Sequence, residues 1–439
     1  MEVILATAYC FIFYYIINRS KFFKTDSIPH WFPGIFFLLK CIAGVLLGIV
    51  YTKFYTNQND IDTFKFFTDS QIMFDTIYSV PLDFVRMFTG IDGDAPELYP
   101  YYIKMNSWLN TNPFFNDNRT IVRMNAFFRF FSMGYYNVHV IFINFISFAG
   151  IFCLYKTFIS YCPEKKKELF ILTFMLPSVL FWGSGLLKDG ILLSGFGLAI
   201  YSFSLILRNG FTLKRLTGLF IGIFILLVTK IYVFILILPG LFAWWLMKKT
   251  KGIKVVISFF VIYALYFLTA FSAYRINPDY NAAALIFYKQ KNFIDIGTIH
   301  NASMISLPVF ECSGSSILKS TPLAFINTMF RPFLTDVHGN PMILLSALEN
   351  LLIIFLILAS LLSGNLRGKR IDPFIIFNIF FIVLLFALIG LITPVLGAIV
   401  RYRIVALPGL MFLLVYYYDR KKLLSRLSFF IPKRKDIDA

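Results

Sequence analysis

The sequence predicts an all-α protein, a polytopic bundle of about eleven transmembrane helices with its N-terminus outside and its C-terminus inside. Three observations carry that prediction. Hydrophobic residues make up 58% of the 439 residues and charged residues only 15%, too little polar surface to keep a soluble domain dissolved. Apolar runs recur along the whole chain, many reaching the ~18 residues a membrane helix needs. The basic residues fall in short clusters between those runs. That placement explains the net charge of +18 through the positive-inside rule and removes the nucleic-acid partner that such a charge would suggest in a soluble chain.

The clusters fix the threading. They lie at Arg19, Lys21 and Lys24; at Lys165–Lys167; at Arg208, Lys214 and Arg215; at Lys248, Lys249, Lys251 and Lys254; at Arg367, Lys369 and Arg370; and from Arg420 to Lys435. With all of them in the cytoplasm, the spans run roughly 2–17, 33–52, 136–156, 168–184, 190–207, 215–229, 231–247, 254–272, 343–363, 373–393 and 403–418. The first run lacks a basic leader and a small-residue cleavage site, so it is expected to be a retained span. Spans six and seven are divided only by the turn at Lys230, where a single kinked or re-entrant hairpin fits as well. The whole of 1–439 forms one integral membrane domain with two long outer segments, 53–135 and 273–342. Both are expected to carry short interfacial helices, and Asp62–Ile77 mixes Phe and Asp as such a helix would. The aromatic content, 19% with 54 Phe, reads as lipid-facing and core filler. The five Cys and four His show neither metal-ligand spacing nor a disulfide framework.

On this topology a set of cations lies on the outer side, against the usual bias: Lys188, Lys230, Arg275, Arg331, Arg401 and Arg403. Charged side chains at membrane depth cost about 2.5–3.5 kcal/mol on insertion scales and are rare without a role. Lys188, Lys230 and the Arg401/Arg403 pair each precede or open a helix running from outside to inside. A cation beside an outward helix N-terminus is a cradle for a phosphate. The Gly183-Ser184-Gly185 turn before Lys188 would let backbone approach an anion closely. Taken singly, each of these cations also reads as a side chain snorkelling to headgroups, and Lys40, inside the second span, is read that way. Glu349 would pair with a cation or act in catalysis. The 183–190 stretch is no nucleotide-binding P-loop, because Lys188 is followed by Asp189 and flanked by spans. Gly190 and Ser194 are spaced as small residues are at helix–helix contacts.

The acidic counterpart is Asp60-Ile61-Asp62, just after the second span. A carboxylate at the mouth of an intramembrane cavity can deprotonate a sugar hydroxyl, and Asp-x-Asp spacing also suits a divalent cation. The same segment holds Asp69, Asp75, Asp83, Asp92, Asp94, Glu97 and Asp117, so an ordinary solvated loop fits too. Glu97, Asp189 and Glu349 are the fallback acids.

This layout resembles the GT-C class of membrane glycosyltransferases. Arg401-Tyr402-Arg403-Ile404-Val405-Ala406-Leu407-Pro408 is similar to an Arg-Tyr-Arg-x-Pro-x-x-Pro pattern of bacterial members, with Val405 where the first proline would stand. The runs Phe181–Asp189 and Phe330-Arg331-Pro332-Phe333 look like segments of bacterial polysaccharide-assembly membrane proteins. The acidic pair follows the second span here and the first in that class, which an extra N-terminal span would explain. The resemblance implies a multi-pass protein of the bacterial inner membrane that uses a polyprenyl-linked sugar or oligosaccharide. Asp60 or Asp62 would be the base, and Lys188, Lys230, Arg331, Arg401 and Arg403 would hold the phosphate, with Arg275 auxiliary. Other polysaccharide-assembly proteins would be its partners. A repeat-unit polymerase of the O-antigen type fits the same features, and a lipid-sugar flippase or other transporter is the non-enzymatic alternative.

Overall fold

In a bilayer every backbone N–H and C=O has to be satisfied within the chain, so long apolar runs can only be helices. The computed structural model describes residues 1–439 except 27, 55–60, 110–115, 300–301, 308–310, 364–370 and 428–439. Among the described residues the secondary structure is helical, with a single isolated bridge between Met304 and Val395. Among the described residues seven helices are long and apolar enough to cross a membrane, or eight if one bent pair counts as a span. The chain divides into two compact units, Met1–Ile235 and Leu236–Ala439.

The first unit holds α1 (Glu2–Arg19), α2 (Phe32–Phe54), α3 (Asp62–Ser79), α4 (Pro81–Thr89), α5 (Tyr99–Tyr102), α6 (Asp117–Ser132), α7 (Tyr136–Ile159), α8 (Lys166–Phe174), α9 (Pro177–Trp182), α10 (Lys188–Asn209) and α11 (Leu213–Thr229). The boundary falls within α12 (Ile231–Leu246). The centre of this unit is α7, which packs against α1, α2, α6, α8 and α10. Its crossing with α10 is close because small residues meet there. A Cβ on Gly150 would lie 2.2 Å from Ser194 Cα, and one on Gly197 would lie 1.9 Å from Gly150 O. Gly190 and Ser194 both lie on this seam, as their spacing suggests.

The run expected as a single span over 168–184 is instead two short helices, α8 and α9. Leu176 is extended (φ −59°, ψ 119°) ahead of Pro177, because a residue before proline is pushed out of the α region. Lys230 (φ −145°, ψ 86°) ends α11, so α11 and α12 are separate helices of 17 and 16 residues.

The first outer segment is a folded cap rather than isolated surface helices. Helices α3 to α6 close over Phe66, Met73, Met87, Leu98, Trp108, Ile121 and Ala126, and this core continues into Val140 and Ile143 of α7 and Leu186 and Ile191 beside α10. Asp69 is the polar centre of the cap. Fully buried, it accepts from Asn106 N and Ser107 N, both at 2.8 Å, and from the Ser107 hydroxyl. That pins the 105–108 turn to α3.

The second unit comprises α13 (Ile253–Ser272), α14 (Ala282–Ile299), α15 (Gly314–Phe330), α16 (Pro341–Ser363), α17 (Pro373–Ile392), α18 (Leu396–Tyr402), α19 (Leu407–Tyr417) and α20 (Arg420–Leu427). Its axis is α17, most of whose side chains are buried. The second outer segment supplies α14 and α15, 18 and 17 residues long, and they are not short surface pieces. Both pack on α17. Gln290 Nε2 donates to Leu391 O at 2.9 Å, and a Cβ on Gly390 would lie 2.0 Å from Ala324 O. The last expected span, 403–418, is also not straight. Residues Leu396–Val405 and Leu407–Tyr417 meet at 64°, with Pro408 in the first turn of α19, where its missing N–H cannot extend the helix before it.

These close crossings predict that bulk is tolerated very unevenly. Gly197→Val should lower stability by about 1–3 kcal/mol or more through overpacking. Gly397→Ala, where nothing lies within 4 Å of the added carbon, should be nearly neutral. Thermal unfolding in detergent, followed by the monodisperse fraction, measures both. Equal midpoints for the two variants would contradict the close α7–α10 seam.

Candidate functional site

The site is built where the cap meets the first turns of α6 and α10. Asn116 caps α6, its side chain accepting from Asn118 N at 3.1 Å and Arg119 N at 3.3 Å. That fixes Asp117 in the first turn, where the helix dipole favours a carboxylate. Lys188 opens α10 and is 9% exposed. A cation there opposes the dipole and is largely out of water, so it needs acceptors. Its Nζ pairs with Asp117 Oδ1 at 2.8 Å, donates to Asn118 Oδ1 and lies 5.3 Å from the Phe66 ring centre. An ammonium has three donors, and two are engaged. Asp62 and Lys230 both lie within electrostatic range of the same ammonium. Asp117 by contact, and Asp62 and Lys230 at longer range, thus all act on the Lys188 ammonium as one loose charged cluster. Asp62 is exposed at the start of α3, and Lys230 is partly exposed.

The turn before Lys188 is held from behind. Lys40 is 2% exposed. Its Nζ donates to Gly183 O and to Ser184 Oγ, the latter at 2.9 Å. Asn144 Nδ2 donates to Ser184 O at 3.0 Å. Lys40 is thus not a snorkelling residue but a buried pin between α2 and the 183–184 turn. The same turn is shut away from solvent: Gly183, Ser184 and Gly185 are all buried, and the Gly183 and Ser184 N–H groups already bond to Val179 O and Phe181 O. Depth along a span can be read from sequence, but the partner across the bundle cannot.

A second polar group stiffens the cap. Arg129 donates to Ser70 Oγ at 2.9 Å and Phe67 O at 2.6 Å. Burial pushes its guanidinium down to about 10, still charged at neutral pH. His139 lies between Ser132 Oγ and Asn125 Oδ1, each at 2.7 Å. Asn125 Nδ2 donates to Ile121 O, so its Oδ1 faces the imidazole and Nδ1 carries the proton. Both groups read as structural.

In the second unit Arg403 is fully buried. Its Nη1 donates to Thr328 O and Arg331 O, each at 3.1 Å, and its Nη2 donates to Asn350 Oδ1. Asn350 Nδ2 in turn donates to Phe330 O and Pro332 O. Glu349, 3% exposed, supplies nearby negative charge. Arg403 therefore ties α15 and the Phe330–Phe333 turn to α16, with both terminal nitrogens used by protein acceptors rather than presented to a phosphate. Arg331 pairs with Asp336 at 2.8 Å, Arg401 is partly exposed and Arg275 exposed.

Of the remaining expected residues, Asp60 lies outside the described residues. Glu97 is exposed on a short turn of the cap, and Asp189 is buried in the first turn of α10. Among the described residues no three His, Cys, Asp or Glu side chains come together as metal ligands. Sequence reasoning missed Asp117 as Lys188's partner. The available signal was Asn116-Asp117, a helix cap followed by an acid, in a segment otherwise read as loop. No protein family, curated protein or solved structure matches the chain.

The Lys188–Asp117 pair has a measurable consequence. Asp117→Ala should destabilise by about 1–3 kcal/mol, because it strands a largely buried ammonium, with the loss moderated by solvent at the carboxylate. Adding Lys188→Met should recover most of that loss. A double-mutant cycle by chemical denaturation measures the coupling, and simple additivity would mean the pair does not form.

Proposed function

We propose that this chain is a membrane glycosyltransferase that uses polyprenyl-phosphate-linked sugar donors at the outer face of a bacterial inner membrane, in cell-surface polysaccharide assembly. The observation carrying this reading is that Asp62 and Lys230, far from Lys188 in sequence, both act on its charge where the cap meets the start of α10. Two ammonium groups suit the charge that develops on a departing phosphate. Asp62, or Asp60 two residues earlier, takes the proton of the acceptor hydroxyl, and the anomeric carbon passes from phosphate oxygen to acceptor oxygen with inversion. The cap keeps water from the donor. On this reading Lys188 offers its third donor to the phosphate while Asp117 and Asn118 hold the other two. A repeat-unit polymerase would use the same cluster with an oligosaccharide donor.

The proposed threading has eleven spans with the cap outside. A cysteine introduced at Asn112, in a background without native Cys, should react with an impermeant reagent added to intact cells. One at Lys166 should react only after permeabilisation. The reverse pattern would place the cluster on the cytoplasmic side and remove periplasmic donors from consideration.

The chemistry predicts two kinds of defect. Asp62→Asn keeps shape but loses the base, so turnover of a polyprenyl-linked sugar by the purified protein should fall roughly 100-fold or more with donor binding nearly intact. Lys230→Met should weaken donor binding instead. Wild-type polysaccharide from cells carrying Asp62→Asn, and separately from cells carrying Asp60→Asn, would sink the acidic-base mechanism.

A further inference from the structure

The cap contains a cleft of about 340 Å³ lined by Asp94, Pro96, Tyr99, Tyr102, Leu109 and Arg119, among others, and the charged cluster makes no use of it. Its chemistry is mixed. Tyr99 is 53% exposed and Leu109 49%, so apolar and aromatic surface faces outward. Tyr102 stacks on Trp108 with ring centres 5.1 Å apart and gives its hydroxyl proton to Gly93 O, and burial pushes that phenol up to about 12. It is a fixed, neutral wall.

Arg119 at the rim is equally fixed. Its Nη1 pairs with Asp94 Oδ1 at 2.8 Å, its Nε donates to Trp108 O at 3.5 Å, and its guanidinium carbon lies 5.1 Å from the Trp108 ring centre. The Asp94 carboxylate is 78% exposed. Aromatic faces beside a planar guanidinium–carboxylate pair suit a pyranose, whose C–H faces stack on rings while neighbouring hydroxyls bond to the fork and the carboxylate. Asp94 pairs with Arg119, and the exposed Glu97 offsets Arg123, whose guanidinium lies 5.3 Å from the same Trp108 ring centre, so the rim carries little net charge and suits neutral sugars.

One turn of helix connects this cleft to the cluster. Asp117 and Asn118 hold Lys188, and Arg119, the next residue, faces Asp94. The two places are therefore reached from consecutive residues in the first turn of α6.

We infer that the cleft is a saccharide subsite for the neutral sugars of an oligosaccharide, lying beyond the ring at the charged cluster. This rests on the proposed transferase or polymerase reading for its phosphate end, but the cleft is testable without it. The experiment uses the full chain in nanodiscs and three probes: free neutral trisaccharides of glucose, galactose, mannose and N-acetylglucosamine; the same glycans on polyprenyl diphosphate; and sugar-free polyprenyl phosphate. Saturation-transfer NMR and titration should show at least one free neutral trisaccharide binding, with a polyuronic trisaccharide failing. Tyr99→Ala, at an exposed position, should weaken that binding by roughly fivefold, Tyr99→Phe should preserve it, and sugar-free polyprenyl phosphate should bind both variants as it binds the wild type. If the lipid-linked glycan loses affinity in Tyr99→Ala as well, the cleft holds the donor's sugars; if only the free glycan does, it holds the acceptor's. No binding by any neutral trisaccharide, or binding indifferent to Tyr99→Ala, overturns the inference. Tyr99-dependent glycan binding with polyprenyl phosphate indifferent to Lys188→Met would leave the cleft standing and count against the phosphate cluster.

Discussion

A lysine ammonium taken out of water has to be given acceptors, and two such lysines organise the first unit. Lys40 and Lys188 stand at opposite ends of the 183–188 segment. Lys40, from α2, holds the Gly183–Ser184 turn. Lys188 holds the first turn of α6 through Asp117 and Asn118. The segment between them is therefore fixed to the bundle at one end and to the cap at the other. A further tie, Thr120 Oγ1 to Val228 O at 2.8 Å, joins α6 to the end of α11 just before Lys230. These ties leave few ways to arrange three of the four chain segments that bear the cluster's charges. Hydrophobic burial alone would not choose among them, since apolar contacts are non-directional.

The helical class and the seven longest apolar helices were legible because they depend on a one-dimensional quantity, the length of apolar runs. What the sequence did not show depends on neighbours. Pro177 was visible, but the break before it competes with an otherwise continuous apolar run. The cap was read as surface helices because the buried side of α3 mixes Phe66 and Met73 with Asp69, Ser70 and Thr76. Asp69 is acceptable in a core only because the 106–107 backbone and Ser107 come to it, and those donors lie 37 and 38 residues away in sequence. The same limit explains Lys40, whose acceptors lie more than 140 residues along the chain.

Arg403 shows how a cation singled out for a ligand can also be explained by the backbone around it. A membrane arginine is costly enough to need a reason, and the sequence supplied a ligand as the reason. The structure of the second unit supplies another for Arg403. Backbone carbonyls left exposed where α15 ends and the chain turns through Phe330–Phe333 need donors, and a guanidinium provides several in one plane. With Asn350 bonding to both the arginine and the turn, three segments share one polar knot. A charge can thus be retained at membrane depth because it satisfies backbone that no helix satisfies.

The pairing of Lys188 also bears on how an anion could use it. An unpaired buried ammonium would bind phosphate strongly but would destabilise the empty protein by several kcal/mol. Paired with Asp117, the lysine costs the empty state less, and an incoming phosphate oxygen exchanges for, or adds to, a carboxylate oxygen of the same charge type. The net gain on binding is then the difference between two similar interactions rather than the whole of one. Specificity has to come from elsewhere, from the second ammonium at Lys230 and from whatever the cap recognises in the rest of the ligand. On the proposed reading this division is useful. The phosphate end, common to every polyprenyl-linked intermediate, would be held with modest affinity, and the aromatic cleft of the cap would discriminate among the glycans those lipids carry.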